Sequence, residues 1–306
     1  MASAQSAVSP LFVVLHNSFD IPDEYHERLQ QNGLDEVILE CDIQPDEYYL
    51  SLLNSSSGTT TFIPQLSQSI IKLTLSHFSW GYPTGFLSTL GERLPDLKSL
   101  RLYRQNITGP NTETRHDAQQ FLCRIPDLVD LYMSDVHGDP YFFIDLGEAF
   151  KRPGQQGLLI LYVEYTFDID IDDLVLKLPI PELRHLIHPA IADLNFNMNP
   201  KASKLRGIMP WPPSGTPGII EALVGSTTAP RRLKCLTLTL VQLTLEQLRV
   251  VLLTHRGLSL LRVAIRLENP DTHLRTLLDI LILCPNLRAV EIVVIPSALN
   301  ESHNQV

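Results

Sequence analysis

Few residues in this chain are spaced for chemistry. His185 and His188 frame the tetrapeptide His-Leu-Ile-His, and paired imidazoles are common metal ligands. Here they are expected on a strand, where residues three apart face opposite sides, so the pair reads as structural. Ser69-Ile-Ile-Lys72 has the spacing of a serine nucleophile beside a lysine base, but it falls at the start of an apolar repeat and nothing else of that motif accompanies it. Phe167-Asp168-Ile-Asp170-Ile-Asp172-Asp173 suggests calcium. An EF-hand loop needs glycine at its sixth place and glutamate at its twelfth, whereas those places hold Asp173 and Pro179. A solvated, acidic helix start accounts for the run. His116 and Asp117 adjoin a polar loop with no partner in sequence. There is no GxSxG, P-loop or HExxH motif. The chain therefore reads as a non-enzyme that needs no cofactor and no metal.

The four cysteines, Cys41, Cys123, Cys235 and Cys284, have no CxxC spacing. This favours a reduced, intracellular setting, cytoplasmic or nuclear. Cys123 and Cys284 each precede a proline near an expected helix end, and both read as buried packing residues.

What organises the chain is a repeat, apolar at i, i+3 and i+5. It appears as Leu34, Val37, Leu39; Ile70, Leu73, Leu75; Leu97, Leu100, Leu102; Leu128, Leu131, Met133; and Leu158, Leu161, Val163. It continues as Leu233, Leu236, Leu238; Leu258, Leu261, Val263; and Leu287, Val290, Ile292. Leu183, Leu186, His188 is read as a weaker copy, and Leu205, Ile208, Pro210 as another. First positions lie 25 to 36 residues apart, except for a gap of 50 between Leu183 and Leu233 that invites a degraded repeat. A period in this range marks a solenoid.

The alternation within each copy suits a short strand buried on one face. Pro95, Pro126, Pro181 and Pro285 stand two residues before the first apolar position; Gly33, Gly157 and Gly257 stand immediately before it elsewhere. Both residue types end a preceding helix. Helical patterns fill the intervals at 117–123, 244–253 and 274–283, with Thr244 placed to cap the second. Leu11–Leu15 reads as a first edge strand and Asp23–Leu29 as a helix. Residues 54–61 and 104–116 read as polar loops.

The expected fold is α/β: a leucine-rich-repeat horseshoe with a parallel concave sheet and helices on the convex side. Residues 11–295 would form one solenoid, with 189–232 irregular, between disordered ends at 1–10 and 296–306. Between the leucines, alternate residues point out of the sheet. Their middle row runs Ile38, Thr74, Arg101, Tyr132, Tyr162, Ile187, Thr237, Arg262, Glu291, flanked by Ser99, Tyr103, Asp130 and Glu164. Arginine and tyrosine are the types that concentrate binding energy, so Arg101, Tyr103, Asp130, Tyr132, Tyr162 and Glu164 are the candidate protein-binding residues. Exposed aromatics also simply stabilise strands. Met209-Pro-Trp211-Pro-Pro-Ser-Gly-Thr-Pro217 cannot be a regular helix or central strand. It reads as a long loop, with Trp211 as a possible anchor.

The net charge of −10 and pI near 5.4 disfavour nucleic-acid binding, which needs a basic surface. The longest apolar window, 277–295, contains Asp279, Asn286, Arg288 and Glu291 and does not read as a membrane span. Leu11–Leu15, with no basic residue before it, is too short for a signal sequence.

Cys284-Pro-Asn-Leu287-Arg-Ala-Val290-Glu-Ile292 resembles the CPxLxxLxL segment of cysteine-containing leucine-rich repeats, and Asn106-Ile-Thr108-Gly109 resembles the segment that follows their strand. Such arrays are typical of F-box/leucine-rich-repeat proteins. That resemblance implies a protein-binding array and, as an alternative, a substrate receptor working with ubiquitin-ligase components. The first clear repeat begins at Leu34, which leaves no room for an F-box ahead of it.

Overall fold

The computed structural model describes residues 9–30, 33–54, 63–109, 111–150, 157–165, 182–198, 217–225, 232–267 and 270–296. The chain divides into two compact units, residues 1–157 and 158–306.

The described part of the first unit holds five strands: β1 (Leu11–Leu15), β2 (Glu36–Cys41), β3 (Lys72–Ser76), β4 (Ser99–Asn106) and β5 (Asp130–His137). They are parallel and lie in chain order. Between them run α1 (His26–Leu29), α2 (Pro45–Asn54), α3 (Phe86–Arg93) and α4 (Thr112–Cys123), with α5 (Pro140–Phe150) after β5. The repeat sets the register. Val37, Leu73, Leu100 and Leu131 stand side by side, as do Leu39, Leu75, Leu102 and Met133. All eight are buried, and so are Leu11, Val13 and Leu15 of β1, which ends the sheet as the sequence predicts.

The second unit repeats the plan with β6 (Ile160–Tyr165), β7 (Asp193–Met198), β8 (Cys235–Leu243), β9 (Leu260–Leu267) and β10 (Ala289–Pro296), again parallel and in chain order. Helix α6 (Pro217–Val224) precedes β8, α7 (Leu245–Thr254) precedes β9 and α8 (Pro270–Leu281) precedes β10. Both units thus have the strand–helix alternation of a leucine-rich-repeat solenoid.

Helix ends follow local chemistry. Thr244 caps α7 as predicted: its hydroxyl accepts from the Gln247 amide at 3.2 Å, and the Gln247 side chain accepts from the Thr244 amide at 2.9 Å. Asn111 caps α4 in the same reciprocal way with Thr114. Helix α3 starts at Gly85, which has no side chain to cap with and sits at a φ of 84°. Asp117, from the next helix, supplies the cap. Its two carboxylate oxygens accept from the amides of Leu87 and Ser88, each at 3.0 Å. The residue with no partner in the sequence is thus a buried clamp between two repeats.

Several predicted boundaries shift. Leu183, Leu186 and His188 do not form a strand, since residues 182–186 are a short 3₁₀ helix. The strand copy of this repeat is Ile191, Leu194, Phe196, all buried, with Leu194 between Leu161 and Leu236. Asn195, not Ile187, therefore takes the middle-row place. Because β7 pairs directly with β8, no degraded repeat strand intervenes. The misreading came from an imitation eight residues upstream: the Leu183 triplet sits behind Pro181 but ends in the polar His188, whereas Ile191, Leu194 and Phe196 carry the full apolar spacing behind Pro189. The predicted irregular stretch 189–232 contains β7 and α6. The predicted loop 104–116 narrows to a short link, as β4 runs to Asn106 and α4 begins at Thr112. Residues 23–29 form one 3₁₀ turn and a single helical turn. The predicted copy at 205–210, the loop at 55–61 and the acidic run at 167–173 lie outside the described residues.

His77, Arg104 and Asp135 occupy the left-handed region, at φ of 65°, 46° and 52°, at equivalent points two residues past the inward ladder of β3, β4 and β5. The backbone thereby kinks at the same height beside each ladder, just past the end of β3 and within β4 and β5, where pairing resumes at Gln105 and Val136. Nearby, Gly81 has a φ of 97° and a Cβ there would lie 2.5 Å from the Gly109 Cα, so the two link segments touch through backbone.

Leu100→Ala and Leu131→Ala are each expected to cost about 2–5 kcal/mol in a chemical melt. Values under about 1 kcal/mol at both would contradict the register. Asp117→Ala is expected to cost about 1–3 kcal/mol, because it strands two amides at the start of α3.

Candidate interaction face

Outside the buried ladders, the strands of the first unit present three rows on their open face. One row is Glu36, Lys72, Ser99, Asp130, the next Phe12, Ile38, Thr74, Arg101, Tyr132, and the third Val14, Glu40, Ser76, Tyr103, Ser134. Four of the six predicted strand-face residues, Arg101, Tyr103, Asp130 and Tyr132, are thus on neighbouring strands β4 and β5. Neighbouring strands of a sheet lie about 4.8 Å apart, so these side chains form one patch.

The patch has internal order. The rings of Tyr103 and Tyr132 lie 5.0 Å apart, tilted by 38°. They are diagonal neighbours, since Tyr132 pairs with Arg101 and Tyr103 with Ser134. The Ser99 hydroxyl donates to Asp130 at 2.9 Å, which fixes that carboxylate at the edge of the patch. Lys72 and Glu36 approach to 3.9 Å and neutralise one another. Arg101 is exposed and forms no ion pair among the described residues. The result is an unneutralised guanidinium beside two half-buried phenol rings, with a held carboxylate next to them.

In the second unit Tyr162 and Glu164 share a face of β6, and the Tyr162 hydroxyl donates to Glu164 at 3.1 Å. Glu164 is buried beneath this contact, so little of its carboxylate is open to a partner. Thr237, Arg262 and Glu291 continue the middle row from Tyr162 and Asn195, and Arg262 and Glu291 are paired at 3.1 Å. Trp211 lies outside the described residues.

Other residues singled out by sequence turn out to be structural. His185 lies in the 3₁₀ turn and accepts from Arg184, while His188 accepts from the amide of Ala190. Among the described residues no group of three histidine, cysteine or carboxylate side chains could hold a metal ion. Ser69 donates to the Leu34 carbonyl at 2.8 Å and does not meet Lys72. Cys284 is buried, its thiol against the carbonyls of Leu252 and His255. Cys123 departs from expectation: it is only half-buried and lines a groove of about 320 Å³ between α4 and α5. Cys41 is buried, and loss of hydration pushes its thiol up to about 11.

Sequence reading missed a cleft of about 270 Å³ at the carboxyl ends of β2 and β3, lined by Glu40, Asp42, His77, Ser79 and Trp80. Its carboxylates are engaged, Glu40 with His77 at 3.6 Å and Asp42 with His16 at 3.3 Å. Nothing in the spacing of these residues brings them together; only the parallel register does.

No family model matches the chain, and no curated protein matches it significantly. Among solved structures, it is similar to an internalin (inlF) from Listeria monocytogenes, at 12% identity and a TM-score of 0.39. The likeness covers 84% of this chain and 67% of that one. No helix among the described residues is long and apolar enough to cross a membrane.

If the two rings support each other, a double-mutant cycle on Tyr103→Ala and Tyr132→Ala should give a coupling of about 0.5–1.5 kcal/mol. A coupling near zero would mean that the rings merely lie close.

Proposed function

We propose that the chain is a non-enzymatic interaction module that binds a protein partner through the open sheet face of its first unit. Arg101, Tyr103 and Tyr132 carry the contact, and Asp130 lies at its edge. The observation behind this reading is the exposed, unneutralised Arg101 set beside a tyrosine pair on rigid, in-register strands. Tyrosine and arginine give large contact area for little conformational entropy. Tyr162 and Glu164 are secondary candidates, with Glu164 acting through the orientation of Tyr162.

A second reading, a substrate receptor for a ubiquitin ligase, rests on the resemblance of the Cys284–Ile292 segment. The burial of Cys284 against the preceding repeat suits a structural cysteine of that class, but it says nothing about a ligase.

Affinity capture from the native host, with wild type beside Arg101→Ala/Tyr103→Ala/Tyr132→Ala, tests both readings. The triple variant should melt within a few degrees of wild type, because none of the three is an inward residue. A protein captured by wild type and lost in the variant supports the face. Retention of every partner would refute it, and a cullin-type adaptor among the captured proteins would favour the receptor reading.

A further inference from the structure

The last repeat breaks the burial rule that every earlier one obeys. On β9 the inward residues Leu261, Val263 and Ile265 are 1%, 0% and 0% exposed. Their register partners on β10 are Val290, Ile292 and Val294, and there Val290 is 44% and Val294 45% exposed. Helix α8 matches: Leu274 and Leu278, with Ile282 just past its end and still bonded through its amide to the Leu278 carbonyl, follow one another at intervals of four and are all exposed, Ile282 at 75%. Six large apolar side chains, counting Val293, are thus uncovered on one end of the second unit. A soluble monomer's largest apolar patch is about 300–600 Å² and such a patch is often functional.

We infer that this end is a self-association surface, taken by the same end of a second copy of this chain across a two-fold axis. Three observations select that occupant. First, among the described residues β10 is the last strand of the sheet and pairs only with β9, and a two-fold axis perpendicular to the strand sets β10 antiparallel to its copy, where backbone groups pair edge to edge. Second, the same axis sets α8 antiparallel to its copy, so that Leu278 faces its own counterpart and each Leu274 lies near the other copy's Ile282. Third, the exposed charges on this helix are self-complementary: Arg275 and Asp279 lie four residues apart, and antiparallel pairing brings each Arg275 to the other copy's Asp279. Both sites of such an isologous contact are identical. The length suits it: β10 runs for about 26 Å at 3.3 Å per residue, enough for a paired edge.

The test uses the full chain and three samples: Arg275→Asp, Asp279→Arg, and the two mixed in equal amounts. Wild type is expected to sediment as a dimer. Each single exchange turns two favourable contacts into repulsions and should weaken self-association about tenfold or more. The mixture restores opposite charges at both contacts and should dimerise again. Both positions are exposed, so each variant should keep the wild-type circular dichroism spectrum, and any fall in melting temperature should be reversed in the mixture. A monomeric wild type would overturn the inference, and would mean that this end is bare or covered by residues 297–306 of its own chain. Dimers that ignore either exchange, or a mixture that stays monomeric, would overturn it equally.

Discussion

An inward leucine here is dry only when a neighbouring strand carries another at the same height. A single strand and helix cannot enclose their own apolar face. Leu100 is buried because Leu73 and Leu131 flank it in register, and the same holds along each unit. The energetics of such an array are sums over neighbours, so a fault in one repeat is felt first by the two beside it. The two ends of the array are where the rule must be met by other means. At the start, β1 buries Leu11, Val13 and Leu15 despite pairing on one side alone. At β10 the equivalent positions stay open. The same constraint therefore explains both the order of the core and the one surface that breaks it.

The rule also divides labour within each strand. Because side chains alternate, the residues that fold the protein and those that can bind are interleaved but face opposite ways. Leu100 and Leu102 are committed to the core, and the residues between and after them, Arg101 and Tyr103, are free of that duty. Tyr103 and Tyr132 can change without opening a cavity. Such a face supplies rigid spacing at no cost to the core, and its chemistry can vary strand by strand.

Much of this was legible in the sequence, because the LxxLxL spacing fixes strand, register and face together. The positions of Arg101, Tyr103, Asp130 and Tyr132 followed from counting alone. The spacing failed where a local element imitates it. The Leu183 triplet, behind Pro181, lies at a 3₁₀ turn, whereas Ile191, Leu194 and Phe196, behind Pro189, supply the strand; two overlapping candidates eight residues apart carry the same proline mark. Relations across repeats were not legible either. Asp117 caps a helix about thirty residues earlier, and the cleft beside Trp80 collects groups from two strands and a link. The hydrogen bond from the Tyr162 hydroxyl to the buried Glu164 is likewise recorded by no pattern. The exposure of Val290 is also invisible in sequence, since its repeat is among the most regular in the chain.

The Asp117 clamp has a mechanical meaning. A stack of repeats held only by apolar contact would peel from an end one layer at a time under tension, each layer yielding at a similar load. The carboxylate from α4 holds the first turn of α3 by two hydrogen bonds, and Arg124, just past the end of α4, reaches the Ser88 carbonyl of α3. Those two helices are laced together in both directions, so they should give way as one larger step. The array would then extend unevenly, with a stiff segment built into its first unit directly behind β4 and β5.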